Sequence, residues 1–564
     1  MFCARAKHRA KSHSPAALGL APPHHHAEGA SHCEKYSLAN RPQFLNKIQD
    51  KIEGGGGDVK AASGDIPALG EQLSPRLVYR YRKQRGVNLG SWFSLESWIT
   101  GSVFSDASDP KGSEIDVLRG LGPEKARKAL ENHWGNFINA GDWRWMANHG
   151  INTVRIPVGY FHVMAGSDDA ELRSLLKGTE YAEYAEVYAG AWGHIVQAIE
   201  TAAKHNIGVL VDVHAVPGAQ NKDGHSGLST GKAGLWHGLH AGGNQRRTIE
   251  ILVHLASAVA QHENVVGLEL MNEPENNEKL EAFYDKAIKS IRTNSSPAAQ
   301  SIPLYVGDAW ATKNYAEWVG YKSNESNFLV LDHHLYRCFT SGDHSTAAEA
   351  HAAAVDPGQN GHSARWLQDI SNKCNGSLII GEWSGALNPR SFEKSSIKSK
   401  LEARTLWSQA QWRAFEAHTA GYFYWTLKKE GGPDPGWCLY TAIEKGSMPP
   451  SLNPLYARGG QYPDPHRMAR HVDEALGPYM HAHVSYWDQH NGHFEHWRFE
   501  AGFRAAWNDA CVFLASGSEV GFSGQLATLR SAAHKKEQGD SSAVWEFEHG
   551  FKQGIEAFRR GLHG

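Results

Sequence analysis

From Arg85 to Leu427 the chain alternates short runs of β-branched or aromatic residues with longer amphipathic stretches. The runs are Gly86 to Leu89, Thr153 to Pro157, Gly208 to His214, Val265 to Asn272, Leu304 to Gly307, Phe328 to His334, Leu378 to Glu382 and Tyr422 to Leu427. Runs this short and this apolar fit strands covered on both faces, as in a parallel sheet. Between them, Ala189 to His205, Thr248 to His262 and Lys400 to His418 carry helical spacing and good helix formers. Strands alternating with helices predict an α/β fold, a (β/α)8 TIM barrel that closes at about Leu427. A doubly wound sheet is built from the same units and is the structural alternative.

The flanks differ in texture. Residues 1 to about 75 are rich in His, Ala, Gly, Ser and Pro, with a GGGG run at Gly54 to Gly57, and are predicted to be a disordered N-terminal tail. The catalytic barrel is assigned to 76–430. Residues 431–564 begin Gly- and Pro-rich, then continue with Arg467 to Gly477 and FEHWRFEAGFRAAWNDACVFLA from Phe494. This part is predicted to be a helical C-terminal extension packed on the barrel. No repeat of about 20–50 residues is present.

Charge narrows the partners. Lys and Arg total 57 against 60 Asp and Glu, a formal net charge of −3. That balance favours neither nucleic acid nor an anionic membrane, so no nucleic acid is expected. No apolar stretch reaches the roughly 18 residues of a membrane span. The six cysteines show no CxxC spacing, which argues against a zinc-binding pattern and leaves room for one or two disulfides. Uncharged substrates fit best, and the 19 Trp, 19 Tyr and 20 Phe agree, because sugar rings stack on aromatic faces. Many of those rings will be core. The N-terminus carries Arg5, Lys7, Arg9 and Lys11 without an apolar segment, so it does not read as a secretory signal.

Chemistry gathers at the ends of the runs. Arg155 lies in TVRIP, Asp212 and His214 in VLVDVH, and Asn272 and Glu273 in LELMNEP. His334 and Tyr336 lie in LDHHLY, Glu382 in LIIGEW and Trp425 in YFYWTL. In an α/β barrel the C-terminal strand ends share one bowl, so residues distant in sequence converge there. Glu273 and Glu382, ending the fourth and seventh runs, are a candidate pair for glycoside hydrolysis. One carboxyl protonates the leaving oxygen, and the other meets the developing oxocarbenium ion. On this reading Glu273 is the acid/base and Glu382 the nucleophile. Tyr336 and Arg155 would hold Glu382 ionised, His334 would tune Glu273, Asn272 would reach the sugar 2-hydroxyl and Trp425 would floor the site. Each residue alone has a plainer role: a glutamate at a strand end caps or pairs, a His or Trp packs, and Arg155 or Asp212 forms a buried ion pair. It is six strand ends behaving alike that points to a site.

These residues resemble glycoside hydrolase family 5. NEP at Asn272 to Pro274, GEW at Gly381 to Trp383 and HLY at His334 to Tyr336 look like its signature, with Arg155, His214 and Trp425 at the remaining positions. Within it the chain is similar to fungal exo-β-1,3-glucanases over roughly Tyr81 to Leu427, through RGVNLGSWFSLESWIT, INTVRIPVGYFHV, VDVHAVPGAQNKDGHSGL and LDHHLYRCF. FEHWRFEAG resembles an intracellular, signal-less branch of that group. The resemblance implies that Glu96 binds hydroxyls of the terminal glucose and that Trp98, Asn221 and Phe339 line subsites. One departure stands out: the secreted members carry an aromatic residue at about Asp223, facing Phe339, and here the loop reads KDGHSG.

The expectation is a retaining β-glycosidase acting on a carbohydrate or glycoside, without cofactor or metal, monomeric and intracellular. Sequons at Asn294, Asn324 and Asn375 point the other way on location, and a start codon further upstream could hide a signal. A diglycosidase acting on flavonoid rutinosides, a transglycosylase and a non-catalytic carbohydrate-binding barrel are the rival readings. His333 with His334, and His24 to His26, are the tempting metal ligands. The first two are strand neighbours whose side chains point to opposite faces, and the others lie in the low-complexity tail.

Overall fold

The computed structural model describes residues 66–564 except 168, 169 and 564, so most of the N-terminal tail and its histidines lie outside the described residues. Eight parallel strands close into a barrel in sequence order. They are β1 (Gln84–Asn88), β2 (Thr153–Gly159), β3 (Gly208–Ala215), β4 (Val265–Glu269), β5 (Leu304–Gly307), β6 (Leu329–Arg337), β7 (Leu378–Leu387) and β8 (Gly421–Tyr424). The barrel forecast holds, with strand ends differing by a few residues. The long helices α2 (Ala191–Lys204), α3 (Ala241–Val259) and α5 (Lys400–His418) follow β2, β3 and β7.

Parity along the strands sorts side chains into two cores. Val209, Val211 and Val213 of β3 and Val154, Ile156 and Val158 of β2 face outward and join the main apolar cluster under the helices. Their alternates face the barrel axis. Low in the barrel these are apolar: Leu210, Val266, Tyr305, Val330, Ile379 and Phe423 belong to a separate cluster. Higher up they turn polar, with Arg155, Asp212, Glu269, Asp332 and His334.

The lower cluster does not stop at the barrel. It runs on into the C-terminal helices α6 (Val472–Trp487), α7 (His496–Ala515), α8 (Ser523–Gln538) and α9 (Trp545–His563), through Phe499, Phe503, Phe522, Phe547 and Phe551. A short helix, α1 (Pro75–Tyr81), capped by the Ser74 hydroxyl, contributes Leu77 and Tyr81. Backbone pairing seals the joint: Lys83 N donates to Glu519 O at 2.7 Å, and Gly521 N donates to Tyr81 O at 2.8 Å. The extension therefore closes the N-terminal mouth of the barrel. Within it α7 and α9 approach closely because Gly502 and Gly550 lack side chains. A Cβ on either would meet a carbonyl oxygen of the other helix, Phe547 O or Phe499 O, at 2.0 Å. Among the described residues, Cys338, Cys374, Cys438 and Cys511 are free thiols, and no helix is long and apolar enough to cross a membrane.

Candidate active site

The polar tier at the strands' C-terminal ends is organised by Arg155, whose side chain is fully buried. Its Nε and Nη2 make a two-pronged contact with Glu269 at 2.7 and 3.1 Å. Nη2 also reaches Asn272 Oδ1 at 2.8 Å and Asp212 Oδ2 at 3.1 Å. Nη1 donates to Asn88 Oδ1 at 3.1 Å and Glu382 Oε1 at 3.0 Å. One guanidinium thus ties β1, β2, β3, β4 and β7 together. Burial disfavours its charge, but Asp212, Glu269 and Glu382 more than offset this and hold its pKa well above the usual arginine value.

Glu382 lies in β7 directly opposite His334 of β6. Its approach requires the glycine before it: a Cβ on Gly381 would meet the Asp332 carboxylate at 2.1 Å, where Gly381 N now donates to Asp332 Oδ1 at 2.7 Å. Besides Arg155, Glu382 accepts from the Tyr336 hydroxyl on Oε2 at 2.9 Å. Glu273 sits four residues beyond β4 with φ of 42°, a left-handed conformation that side-chain-bearing residues seldom adopt. Such strain concentrates at functional sites. Glu273 Oε1 is 2.7 Å from His334 Nδ1, and Oε2 is 3.4 Å from His225 Nε2. His334 Nδ1 is also 3.5 Å from Glu382 Oε2, and its Nε2 faces Asp332 Oδ2 at 3.4 Å. One oxygen of Glu273, one oxygen of Glu382 and a nitrogen of His334 all lie within 4.8 Å of one another.

Electrostatics separates the two glutamates. On Glu382, burial outweighs the support of His334, Arg155 and Tyr336, and its carboxyl is pushed up to about 7. On Glu273 burial acts the same way, but the hydrogen bond and charge of His334 overcome it and hold the carboxyl at about 2. His334 is itself disfavoured as a cation by burial, yet Glu382 and Asp332 raise its pKa well above the histidine range. His214 is the opposite case. Burial lowers it to about 4, so Nδ1–H donates to Asp212 Oδ2 at 2.6 Å and leaves Nε2 buried without a protein partner. The ring lies parallel to Trp425, 6.0 Å away.

These groups line a cavity of about 1280 Å³. Glu96, Trp98, His214, Asn272, Glu273, His334, Tyr336, Phe339, Glu382 and Trp425 all border it. Burial pushes the Glu96 carboxyl up to about 7 against the charge of His225, and Trp98 Nε1 donates to Glu96 Oε2 at 2.7 Å. Two expected residues stand back from the cavity. Arg155 reaches it through Glu382. Asn221 has spent its amide on the backbone, donating to Glu273 O and accepting from Asp223 N at 2.9 Å each. It shapes the turn carrying Glu273. Phe339 is 67 % exposed at the rim, and Asp223 borders the cavity where an aromatic partner was missed.

Several participants escaped sequence reasoning. Asn88, Glu269 and Asp332 are inward polar residues in otherwise apolar runs, and strand parity shared with Arg155 was the available signal. His225 comes from the loop after β3, and Trp437 from the Gly- and Pro-rich stretch after β8. Trp437 packs against Trp98 at 5.2 Å, Tyr336 at 5.5 Å and Phe339 at 6.3 Å. On the opposite wall Trp310 is 61 % exposed and Trp366, on α4 (His362–Lys373), is 37 % exposed.

A barrel mouth carrying two glutamates, a shared histidine and exposed aromatic walls defines a carbohydrate-cleaving enzyme, and comparison with known proteins agrees. The family model described as Cellulase (glycosyl hydrolase family 5) matches residues 119–431. A second, Glucan 1,3-beta-glucosidase 3 C-terminal domain, matches residues 468–562. The chain belongs to glycosyl hydrolase family 5 and is a glycoside hydrolase acting on carbohydrate substrates. It is 32% identical over 490 residues to Glucan 1,3-beta-glucosidase 3 of Schizosaccharomyces pombe, covering 85% of this chain and 95% of that one. It is 29% identical over 551 residues to an uncharacterized glycosyl hydrolase of Saccharomyces cerevisiae, covering 93% and 99%. Among solved structures, a rutinosidase from Aspergillus niger is 20% identical with a TM-score of 0.49, covering 65% of this chain and 98% of that one.

Proposed function

We propose that the protein is a retaining glucan 1,3-β-glucosidase that removes terminal glucose by double displacement, with Glu382 as nucleophile and Glu273 as acid/base. The observation that carries this is the approach of the two carboxylates to within 4.8 Å. Retaining enzymes place them about 5–5.5 Å apart, whereas inverting ones need about 6.5–9.5 Å to admit a water. Glu382 Oε attacks the anomeric carbon as the glycosidic C–O bond breaks, and Glu273 delivers its proton to the departing oxygen. Glu273, now a carboxylate, then removes a proton from the water that releases glucose from Glu382.

The free-enzyme ionisation runs against these roles, with Glu273 charged and Glu382 raised. A proton shift reconciles them. Once Glu382 deprotonates, the Glu273–His334 pair holds one proton on its 2.7 Å hydrogen bond. Moving it from Nδ1 to Oε1 gives a neutral imidazole, still donating from Nε2 toward Asp332, and a protonated Glu273. Glu382 then carries the charge between Arg155 and Tyr336. Active enzyme thus appears as pH rises through the Glu382 pKa and is lost when the shared proton leaves.

Substrate contacts follow from unspent polarity. The Nε2 lone pair of His214 accepts a sugar hydroxyl. Asn272, with Oδ1 fixed by Arg155, offers Nδ2 to the 2-hydroxyl. Glu96 and Trp98 hold the terminal glucose from the β1 side, and Trp425 lies beneath it. The test is a product assay on laminarin, laminaribiose, a rutinoside and an aryl β-glucoside, with anomers followed by NMR. Initial β-glucose from laminarin or laminaribiose is expected. Initial α-glucose would overturn the mechanism, and intact disaccharide from the rutinoside with laminarin untouched would replace the substrate.

A further inference from the structure

The C-terminal helices hold a second cluster of ligating side chains, outside the barrel bowl. His483 lies in the last turns of α6, His496 opens α7, and Glu546 is in the first turn of α9. His483 Nε2 and His496 Nδ1 each stand 2.8 Å from the same oxygen, Glu546 Oε2. One ligand atom from each residue lies within 4.8 Å of the others. Glu546 is fully buried and His483 is 4% exposed.

The Glu546 carboxylate takes three donors, two of them imidazoles on a single oxygen. Its other oxygen, Oε1, accepts from Glu495 N at 2.6 Å. Two of the three outer contacts have the form that metal ligands show, in which the turned-away atom is fixed by a hydrogen bond: those of Glu546 and His496. His496 points its second nitrogen, Nε2, at Asp488 Oδ1 at 3.2 Å. That is a carboxylate–histidine pair aimed at the centre of the cluster. The cluster also holds more nitrogen than its internal hydrogen bonds consume. Nδ1 of His483 and Nδ1 of His549 are both buried without a partner, on rings 5.3 Å apart. Aromatic rings wall it off: Phe499 stacks on His483 at 4.1 Å, Phe494 on His496 at 5.7 Å, and Trp487 meets Trp545 at 4.7 Å. His496, 20% exposed in its side chain, gives an entry path.

We propose that His483, His496 and Glu546 form a divalent-metal site of the zinc class, oriented by Asp488 and completed by solvent, that ties α6, α7 and α9 together. Two imidazoles and one carboxylate suit zinc, whereas calcium and magnesium take oxygen ligands. Ligands at about 2.1 Å from a tetrahedral ion stand about 3.4 Å apart, so the 2.8 Å pairs need to open by only about half an ångström. Binding would displace the protons these histidines now direct at Glu546.

The test uses the full-length protein, stripped with chelator and titrated with Zn²⁺ by calorimetry, with Tm read in parallel. Wild type is expected to bind one equivalent more than Glu546→Gln and to gain Tm on Zn²⁺ addition, while Glu546→Gln does not. Asp488→Asn, at an exposed position, is expected to weaken that equivalent about tenfold or more. The His24 to His26 run and the barrel glutamates are present in every variant, so their metal binding cancels in the difference. Turnover should be unchanged throughout, which shows that the barrel is intact. If Glu546→Gln does not fold, His496→Gln at the partly exposed position carries the comparison. Equal zinc stoichiometry and equal thermal shift in wild type, His496→Gln and Asp488→Asn would overturn the proposal, as would no zinc binding in wild type.

Discussion

The two ends of the barrel are built from the same strands and treated in opposite ways. At the N-terminal mouth the inward residues are Leu210, Val266, Tyr305, Val330, Ile379 and Phe423, and the extension's phenylalanines continue that layer in one buried cluster. At the C-terminal mouth the same parity delivers Arg155, Asp212, Glu269, His334 and Glu382, and among the described residues no comparable helical layer covers them. The first end gains stability by burying apolar area. The second gathers several buried charges on one guanidinium, an arrangement that gains little stability and that clusters at functional sites. Stability and chemistry are therefore separable along the barrel axis, and substitutions should show it.

The largest effect expected is on chemistry alone. Glu382→Gln removes the nucleophile and should lower kcat on an activated aryl β-glucoside by about 10⁴-fold or more, with Tm close to wild type. Activity within tenfold of wild type would sink the assignment. Glu273→Ala should cost about 10²–10⁴-fold on substrates with poor leaving groups and much less on activated ones, which hardly need acid assistance. Equal losses on both would count against the acid role.

The opposite mouth should give the converse. Phe503→Ala empties a fully buried position in the extension and is expected to lower stability by about 3–5 kcal/mol, while kcat at a permissive temperature stays unchanged. A fall in kcat without a fall in Tm would erase the distinction between the two ends. Arg155→Ala crosses it, because it strands the buried carboxylates of Glu269 and Asp212. About 3–5 kcal/mol of stability should go together with activity.

The smallest effect sharpens the ionisation scheme. Burial places Glu382 at about 7 in the free enzyme, so the acid limb of kcat/KM should lie well above the ordinary carboxylate range. Tyr336 stabilises the charged form, so Tyr336→Phe should move that limb to higher pH. A limb that stays put, or moves down, would assign it to another group.

How much of this was legible in the sequence depends on which physical signal each residue carried. Leu304–Gly307 and Lys400–His418 were located to the residue, because an apolar run or a helical period with clear flanks leaves little choice. β7 was read to Glu382 and extends to Leu387, since nothing local marks where a strand outlasts its neighbours. Glu273 and Glu382 were visible as acids at the ends of apolar runs. Glu269, flanked directly by Leu268 and Leu270, was hidden by the same run that revealed Glu273. Asn221 was drawn to the site by resemblance and stands behind it, its amide held by backbone atoms that only the folded loop supplies. Trp310 and Trp437 were not found because loops bring them to the cavity, and Trp366 because its helix is placed there only by the fold. The extension's role as the floor was equally invisible, because it depends on a layer shared with inward residues of six strands.

The central claim is that Glu382 bonds covalently to the sugar. Incubation with an activated 2-deoxy-2-fluoro-β-glucoside, followed by peptide mass spectrometry, tests it directly. The account predicts one fluoroglucosyl adduct, on the peptide containing Glu382, in step with loss of activity. An adduct on Glu273 or elsewhere, or hydrolysis of laminaribiose to α-glucose with no adduct, would contradict it.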